Sequence, residues 1–187
     1  MHVHTVPPED ATGLIREFYE EDIADDGYIS NISRLYSLKP EVLAAWRTLI
    51  GSIRDTMDLR RYELATLAAA EALRCGYCVA AHAEVLQSKF YDRPQLEAIA
   101  RDYRSAGLDP VDVAIMAFAE KVALHAYRVT PEDIDELRGH GLTDTEVFEV
   151  ALTASARAFF SKSLDSMGAQ PDEALADSAR LFDLVER

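Results

Sequence analysis

Both cysteines of the chain lie in one short segment, EALRCGYCVAAH at residues 71–82, which also holds a histidine. Cys78 follows Cys75 by three positions, and His82 follows Cys78 by four. At about 100° per residue the three side chains share one helix face, and residues four apart meet across a turn. Two thiols and an imidazole so arranged can bind a metal, form a disulfide or carry out redox chemistry. This segment is the first candidate for a functional site.

Of these three uses, a redox-active dithiol explains the segment best. A disulfide between residues three apart closes a very short loop, so it would add little stability. Cys75, Cys78 and His82 could supply the three ligands of a catalytic zinc. No second cysteine–histidine pair lies nearby to complete a four-ligand structural site. The redox dithiol is therefore favoured, and the three-ligand zinc site stays open as the main alternative.

The glycine beside the first cysteine predicts a break in the helical pattern. We predict that the helix is interrupted between Leu73 and Gly76, so that Cys75 begins a new helix. Free backbone N–H groups and the positive end of the helix dipole would then favour a thiolate there. Near the helix start, Cys75 is also expected to be the more exposed of the two sulfurs.

Two glutamates compete for the role of carboxylate partner. Glu63 lies twelve residues before Cys75, which is about 18 Å along an unbroken helix. If the chain folds back as a hairpin, Glu63 faces His82 and orients or deprotonates it, and His82 takes the proton of Cys78. Glu71, one turn before Cys75, is the better candidate if the helix is continuous. A solvated or arginine-paired side chain is the plainer interpretation of each glutamate.

The composition is that of a globular chain with a strong negative charge. The 187 residues are 49% hydrophobic and 28% charged, and 19 basic against 33 acidic side chains give a net charge of −14. A field of this sign disfavours nucleic acid and anionic membrane surfaces as partners. Near the cysteines the potential is expected to be less negative, because four arginines gather there: Arg54, Arg60, Arg61 and Arg74.

The sequence also predicts a cytoplasmic location. The first residues, MHVHTVPPEDATG, lack the basic and apolar regions of a signal peptide. No segment approaches the ~20 apolar residues of a membrane span. Two cysteines are too few for a secreted disulfide scaffold of this length. In the cytoplasm, a Cys-x-x-Cys motif indicates redox chemistry or metal binding.

Apolar residues recur with helical spacing along nearly the whole chain, and no alternating strand pattern of useful length is present. The predicted fold class is all-α, a single-domain helical bundle over residues 1–187 with about eight to ten helices. An N-terminal arm with short helices, residues 1–40, precedes a core, residues 41–187, in which a helix hairpin carries the Cys-x-x-Cys motif. The predicted helices cover about residues 8–22, 32–36, 40–53, 59–73, 79–90, 94–103, 111–127, 131–139, 143–164 and 172–185.

The segment RRYELATLAAAEALRCGYCVAAH, residues 60–82, resembles the core of the alkylhydroperoxidase AhpD-like, carboxymuconolactone decarboxylase superfamily. The family pattern is a glutamate, a Cys-x-x-Cys twelve residues later, and a histidine four residues after the second cysteine. Glu63, Cys75, Cys78 and His82 match each spacing. The stretches GYISN, LYSLKPEVLAAW and GLTDTEVFEVAL extend the resemblance over most of the chain, towards the branch of uncharacterised peroxidase-related proteins.

This resemblance implies an all-helical fold, assembly into homo-oligomeric trimers or hexamers, and a thiol peroxidase activity that cycles a disulfide. It implies that Cys78 is the peroxidatic cysteine and Cys75 the resolving one. Glu63 and His82 would form the proton relay. The substrate would be a hydroperoxide and the electron donor a dithiol such as a lipoyl protein, with no haem, metal or other cofactor taking part.

One position departs from the family pattern. The AhpD proteins often carry a histidine between their cysteines, where this chain has Tyr77. A tyrosine can donate a hydrogen bond but is a poor base near neutral pH, so slower turnover or a different substrate or donor is expected. The alternatives are a non-catalytic redox sensor or vestigial member, and a lactone-processing decarboxylase-like enzyme. The decarboxylase branch does not depend on a Cys-x-x-Cys, which argues against the latter.

Apolar side chains outside the motif are in keeping with the oligomer that the family implies. The segment around residues 35–46 and the pair Phe159 and Phe160 are predicted to lie at the surface, although core packing explains them equally well. We expect a trimer or hexamer at micromolar concentration. Light scattering checks this, and a monomeric mass would contradict it.

Overall fold

The computed structural model describes residues 1–181, and helices account for all of the regular structure in that range. The predicted all-α class is confirmed. The α-helices are α1 (Gly13–Asp26), α2 (Asn31–Tyr36), α3 (Pro40–Arg54), α4 (Leu59–Ala72), α5 (Gly76–Lys89), α6 (Arg93–Asp102), α7 (Pro110–His125), α8 (Pro131–Gly139), α9 (Asp144–Ser166) and α10 (Ala176–Ala179). Short 3₁₀ turns occur at Pro8–Asp10, Ala126–Arg128 and Glu173–Leu175. Within residues 1–181, no helix is long and apolar enough to cross a membrane.

Most helices begin where the sequence signals predict. Asp58 Oδ1 accepts a hydrogen bond from the Arg61 backbone N–H at 3.0 Å, which caps α4. Thr143 and Glu146 form a reciprocal capping box at the start of α9. Pro40 is the first residue of α3, where its missing N–H costs nothing. Local capping chemistry therefore sets these boundaries.

The terminal helices differ from their predicted bounds. The helix predicted over residues 8–22 starts only at Gly13, because Pro8–Asp10 is a separate 3₁₀ turn followed by extended backbone at Ala11. It then runs on to Gly27, whose φ of 82° ends it. The last helix, predicted over residues 172–185, is reduced to a 3₁₀ turn and the short α10. Positions 182–185 of that prediction lie outside the described residues.

The fold is built around α4, which packs against α5, α7 and α9. The middle of α4 is almost entirely leucine and alanine, and Leu64, Ala65 and Leu67 are fully buried. Burying one leucine side chain stabilises a fold by about 1.5–3 kcal/mol, and the small alanines let neighbouring helices approach closely. Helix α4 is thus a fixed support for the cysteine-bearing turn at its end.

The predicted break between α4 and α5 is confirmed. Arg74 has a φ of 60°, in the left-handed region that ends a helix. The Cys75 N–H donates to Ala70 O at 3.0 Å and the Arg74 N–H to Glu71 O at 2.9 Å, the two hydrogen bonds of a Schellman motif. The chain reverses at this motif, and α5 packs back along α4 as a hairpin.

The two adjacent phenylalanines of α9 lie in different environments. Phe160 is buried and stacks on Trp46, with ring centroids 4.4 Å apart. Phe159 is half exposed and lies in an apolar groove of about 250 Å³ that Val42 and Leu49 also line. Core packing is therefore confirmed for Phe160 and a surface position for Phe159, while the trimer or hexamer stays a prediction.

Candidate active site

A cavity of about 410 Å³ lies beside the Cys-x-x-Cys motif. Helices α1, α2, α3, α5 and α9 and the chain before α10 form its walls. Cys78 and His82 line this cavity, whereas Cys75 does not. Both sulfurs are buried, with Cys75 0% and Cys78 1% exposed. The prediction that Cys75 is the more exposed sulfur was wrong, because the hairpin turns the first residue of the new helix into the core.

The two thiols are in contact and unbonded. Cys75 Sγ donates a hydrogen bond to Cys78 Sγ at 3.1 Å, and both cysteines are free. A disulfide needs a separation of about 2.05 Å, so a small movement would close it. Within residues 1–181, no three histidine, cysteine or carboxylate side chains are arranged to hold a metal. The dithiol geometry fits redox chemistry.

Cys78 Sγ accepts three hydrogen bonds from buried groups. The donors are Cys75 at 3.1 Å, Ser161 Oγ at 3.3 Å and Arg157 Nη1 at 3.4 Å. The hydrogen bond from Cys75 is the largest cause that lowers the pKa of Cys78 to about 5. Burial opposes this shift, while Arg157, Ser161 and His82 add to it. Cys78 is therefore the thiolate of the pair at neutral pH.

The pKa of Cys75 moves in the opposite direction. Its hydrogen bond to Cys78, followed by burial and the negative charge of Cys78, raises this pKa well above that of an ordinary thiol. One proton is thus held on Cys75 and directed at the Cys78 thiolate. The two cysteines are chemically distinct although both are buried.

The hairpin brings Glu63 against His82, as predicted. His82 Nδ1 lies 2.6 Å from Glu63 Oε2, and the glutamate is 4% exposed. A carboxylate can only accept here, so Nδ1 carries the shared proton and Nε2 is the nitrogen free for proton transfer. Among the described residues, His82 is not a hydrogen-bond donor to Cys78 Sγ. Positive charge on its ring is instead one of the smaller causes that lower the pKa of Cys78.

Glu71, the rival carboxylate, lies in a different part of the molecule. It lines a second, smaller cavity with Glu120 and Tyr103, away from the Cys78 cavity. Burial, with a smaller contribution from Glu120, raises the pKa of Glu71 to about 8. Because the helix is broken, Glu63 and not Glu71 is the carboxylate beside His82, as predicted for a hairpin.

Two residues of α9 that the sequence motif does not indicate also belong to this site. Arg157 and Ser161 are 79 and 83 residues from Cys78 along the chain. Arg157 is only 6% exposed, and its guanidinium lies 5.8 Å from the Trp46 ring centroid. The available signal was that Arg157 is the only charged residue within ALTASARAFF, residues 151–160. An arginine on an apolar helix usually has a buried partner.

Two of the four arginines that the sequence places near the cysteines pair with a buried aspartate. Arg60 Nη1 lies 2.6 Å from Asp112 Oδ2, and Arg61 Nε lies 3.7 Å from Asp112 Oδ1. Asp112 is fully buried, so these two arginines compensate its charge where α4 meets α7. The positive charge that contacts the dithiol is supplied by Arg157.

Tyr77, which lies between the two cysteines, has a structural contact. Its hydroxyl donates a short hydrogen bond to Asp172 Oδ2, and Asp172 Oδ1 accepts from the Asn31 backbone N–H at 2.9 Å. Burial, and then Asp172, raises the pKa of Tyr77. The tyrosine thus ties the chain before α10 and the start of α2 to α5, at the edge of the Cys78 cavity.

We predict that Tyr77→Phe costs stability and leaves the reactivity of Cys78 nearly unchanged. Removing the donor leaves Asp172 short of one partner in a buried position, which costs about 1–3 kcal/mol. Urea unfolding measures the loss, and Asp172→Asn, which keeps an acceptor oxygen, should cost less. A Tyr77→Phe protein that is as stable as the parent but reacts slowly with peroxide would instead place Tyr77 in the proton relay.

Comparison with known families identifies the central segment. The profile of the carboxymuconolactone decarboxylase family matches residues 40–121, which include Glu63, both cysteines and His82. No curated protein matches the chain at a significant level.

Solved structures share the fold over nearly the whole chain. An AhpD-core, uncharacterised peroxidase-related protein from Ralstonia eutropha JMP134 has a TM-score of 0.81 at 22% identity, covering 96% of this chain and 98% of its own. An uncharacterised peroxidase-related protein from Silicibacter sp. TM1040 has a TM-score of 0.80 at 19% identity, covering 92% and 94%. The debrominase Bmp8, as a cysteine-to-alanine variant with 2,3,4-tribromopyrrole, has a TM-score of 0.78 at 16% identity, covering 97% of each chain. Residues 40–121 therefore match the profile of the carboxymuconolactone decarboxylase family, within a chain that shares the fold of these solved structures.

Proposed function

We propose that the protein is a thiol-dependent peroxidase that reduces hydroperoxides and cycles a Cys75–Cys78 disulfide. The observation that carries the proposal is the Cys78 thiolate, stabilised by Arg157 and Ser161 at the wall of a cavity. A thiolate is the form of cysteine that attacks a peroxide. The fold similarity to peroxidase-related proteins supports the same reaction class.

In the first step the Cys78 thiolate attacks the terminal oxygen of the hydroperoxide. The O–O bond breaks, an S–O bond forms, and Cys78 becomes a sulfenic acid while an alkoxide departs. The alkoxide takes a proton and leaves as an alcohol. His82 lines the same cavity and is oriented by Glu63, so its Nε2 is placed to hold the proton that Cys78 has lost and to pass it to the alkoxide as a general acid.

In the second step Cys75 attacks the sulfur of the Cys78 sulfenic acid. An S–S bond forms, the S–O bond breaks, and the oxygen leaves as water. The two sulfurs start 3.1 Å apart, so the reaction needs little movement. A dithiol donor, which we propose to be a lipoyl protein, then reduces the disulfide by thiol–disulfide exchange and is itself oxidised.

Turnover with a dithiol donor tests this function. The protein is reduced anaerobically and mixed with an organic hydroperoxide in a stopped-flow instrument, while thiols are counted with and without dihydrolipoamide. A peroxidase consumes many equivalents of peroxide per chain, whereas a redox sensor or vestigial member is oxidised once and stops. If the thiols stay reduced after hydroperoxide is added, both the peroxidase and the redox-sensor interpretations are contradicted.

The relay predicts a selective effect of one glutamate. Glu63→Gln removes the carboxylate that holds His82, and the rate of sulfenic acid formation should fall about 10- to 100-fold. This is less than the roughly 10²–10⁴ that general acid–base catalysis contributes, because His82 itself remains. Glu71→Gln is the matched control on the same helix. Burial and Glu120 raise the pKa of Glu71 to about 8, so its carboxyl group is largely neutral at pH 7. Replacing that group by an amide should therefore change the rate of sulfenic acid formation little. Equal losses in the two variants would rule out the relay.

A further inference from the structure

Helix α9 presents a row of polar side chains to the dithiol. Arg157, Ser161 and Asp165 are spaced by four residues, which places them on one helix face at intervals of about 6 Å. The first two donate hydrogen bonds to Cys78 Sγ. Asp165, in the last turn of α9, lies beside Cys75, and each of these two groups alters the ionisation of the other. The row therefore spans both sulfurs.

The charges along this row match the different states of the two cysteines. The positive Arg157 faces the sulfur that is ionised, and the acidic Asp165 faces the sulfur that keeps its proton. Cys75 is fully buried, whereas Asp165 is exposed to solvent. Asp165 does not line the cavity at Cys78. It thus connects the buried thiol to the surface by a route separate from that cavity.

The acceptor of the Cys75 proton changes during the proposed reaction. In the reduced protein this proton lies in the hydrogen bond to the Cys78 thiolate. Once Cys78 is a sulfenic acid, it is neutral and a much weaker acceptor. Cys75 must nevertheless lose its proton to attack, because the thiolate is the nucleophile in disulfide formation. Asp165 is the carboxylate beside it.

We infer that Asp165 accepts the proton of Cys75 in the disulfide-forming step, an inference that rests on the proposed function. The S–H bond of Cys75 breaks and its proton moves to the Asp165 carboxylate, while its electron pair forms the S–S bond to Cys78. The S–O bond of the sulfenic acid breaks, and the departing hydroxide takes a proton from solvent and leaves as water. Asp165 then releases its proton to solvent.

Single-turnover kinetics of Asp165→Asn test this role. One equivalent of organic hydroperoxide is added to the reduced full-length protein, and sulfenic acid and disulfide are followed separately with a sulfenic-acid trap and thiol counting. We expect sulfenic acid to form at the parent rate and disulfide formation to slow about 10- to 100-fold, so that the trap labels most of Cys78. Asp165→Glu should restore resolution. Asp144→Asn, which removes a carboxylate from the other end of α9, should behave as the parent.

The possible outcomes separate this inference from the function on which it rests. If Cys78 forms no sulfenic acid in any of the proteins, the peroxidase proposal itself fails. If sulfenic acid forms and Asp165→Asn resolves it as fast as the parent, only the role of Asp165 is overturned. Failure of Asp165→Glu to restore resolution would likewise reject proton transfer to this carboxylate.

Discussion

Replacing Cys78 by serine should abolish hydroperoxide reduction, lowering the rate by about 10³-fold or more, as expected for loss of a nucleophile. A serine hydroxyl is not ionised by the surroundings that ionise the Cys78 thiol. The remaining thiol of Cys75 cannot take over, because it is fully buried and does not line the cavity. Stopped-flow measurement of peroxide consumption, with a sulfenic-acid trap present, gives the rate and the modified residue.

Cys75→Ser is the matched variant for this prediction. It removes the resolving thiol and keeps a hydroxyl that can donate to Cys78 Sγ, so Cys78 should react once and stay as a trappable sulfenic acid. Continuous turnover with a dithiol donor should be lost. Trapping in Cys78→Ser and its absence in Cys75→Ser would exchange the roles of the two cysteines. Absence of trapping in both would contradict peroxidase chemistry.

Arg157→Met should raise the pKa of Cys78 towards that of an ordinary thiol. The hydrogen bond from Cys75 and the charge of Arg157 both lower the pKa of Cys78 to about 5, against the effect of burial. Without the guanidinium the pKa rises towards the ordinary ~8.5, where about 3% of the thiol is ionised at pH 7. The rate of sulfenic acid formation at pH 7 should therefore fall by up to about 30-fold. Raising the pH should restore it, because the thiolate is the form above the pKa.

The pH profile of thiolate absorbance and of the reaction rate checks this prediction. Arg157→Lys keeps the positive charge and should shift the profile less. Arg47→Met removes another arginine of the cavity wall, one that pairs with Glu21 at 2.5 Å, and should leave the pKa of Cys78 unchanged. An Arg157→Met protein with the parent profile would show that the guanidinium does not ionise the thiol.

The sequence predicts the part of the site that is built from residues close together in the chain. The break before Gly76 follows from that residue and from the distance between Glu63 and the motif, and the hairpin then brings Glu63 to His82. Each step needs only helix geometry and neighbouring residues. The same reasoning predicts the helices with strong capping signals and fails at the termini, where Pro8–Asp10 is a separate 3₁₀ turn and the short α10 packs against α5.

The part that the sequence does not predict depends on packing between distant helices. The burial of Cys75 follows from the way the hairpin packs against α9, which spacing within residues 71–82 does not show. Arg157 and Ser161 lie beyond residues 40–121, the segment that matches the family profile. The motif locates the two thiols, whereas α9 supplies the arginine and the serine that help to stabilise the Cys78 thiolate.

The separation of 79 and 83 residues between Cys78 and its α9 partners also links chemical reactivity to folding. In the unfolded chain both cysteines are close to ordinary thiols, because Arg157 and Ser161 are no longer held against Cys78. The hydrogen bonds from Arg157 and Ser161, which help to lower the pKa of Cys78, form only when α9 docks against α4 and α5. A nascent or unfolded chain is therefore spared rapid oxidation by peroxide. The rate at which Cys78 reacts is thus a chemical reporter of completed tertiary structure.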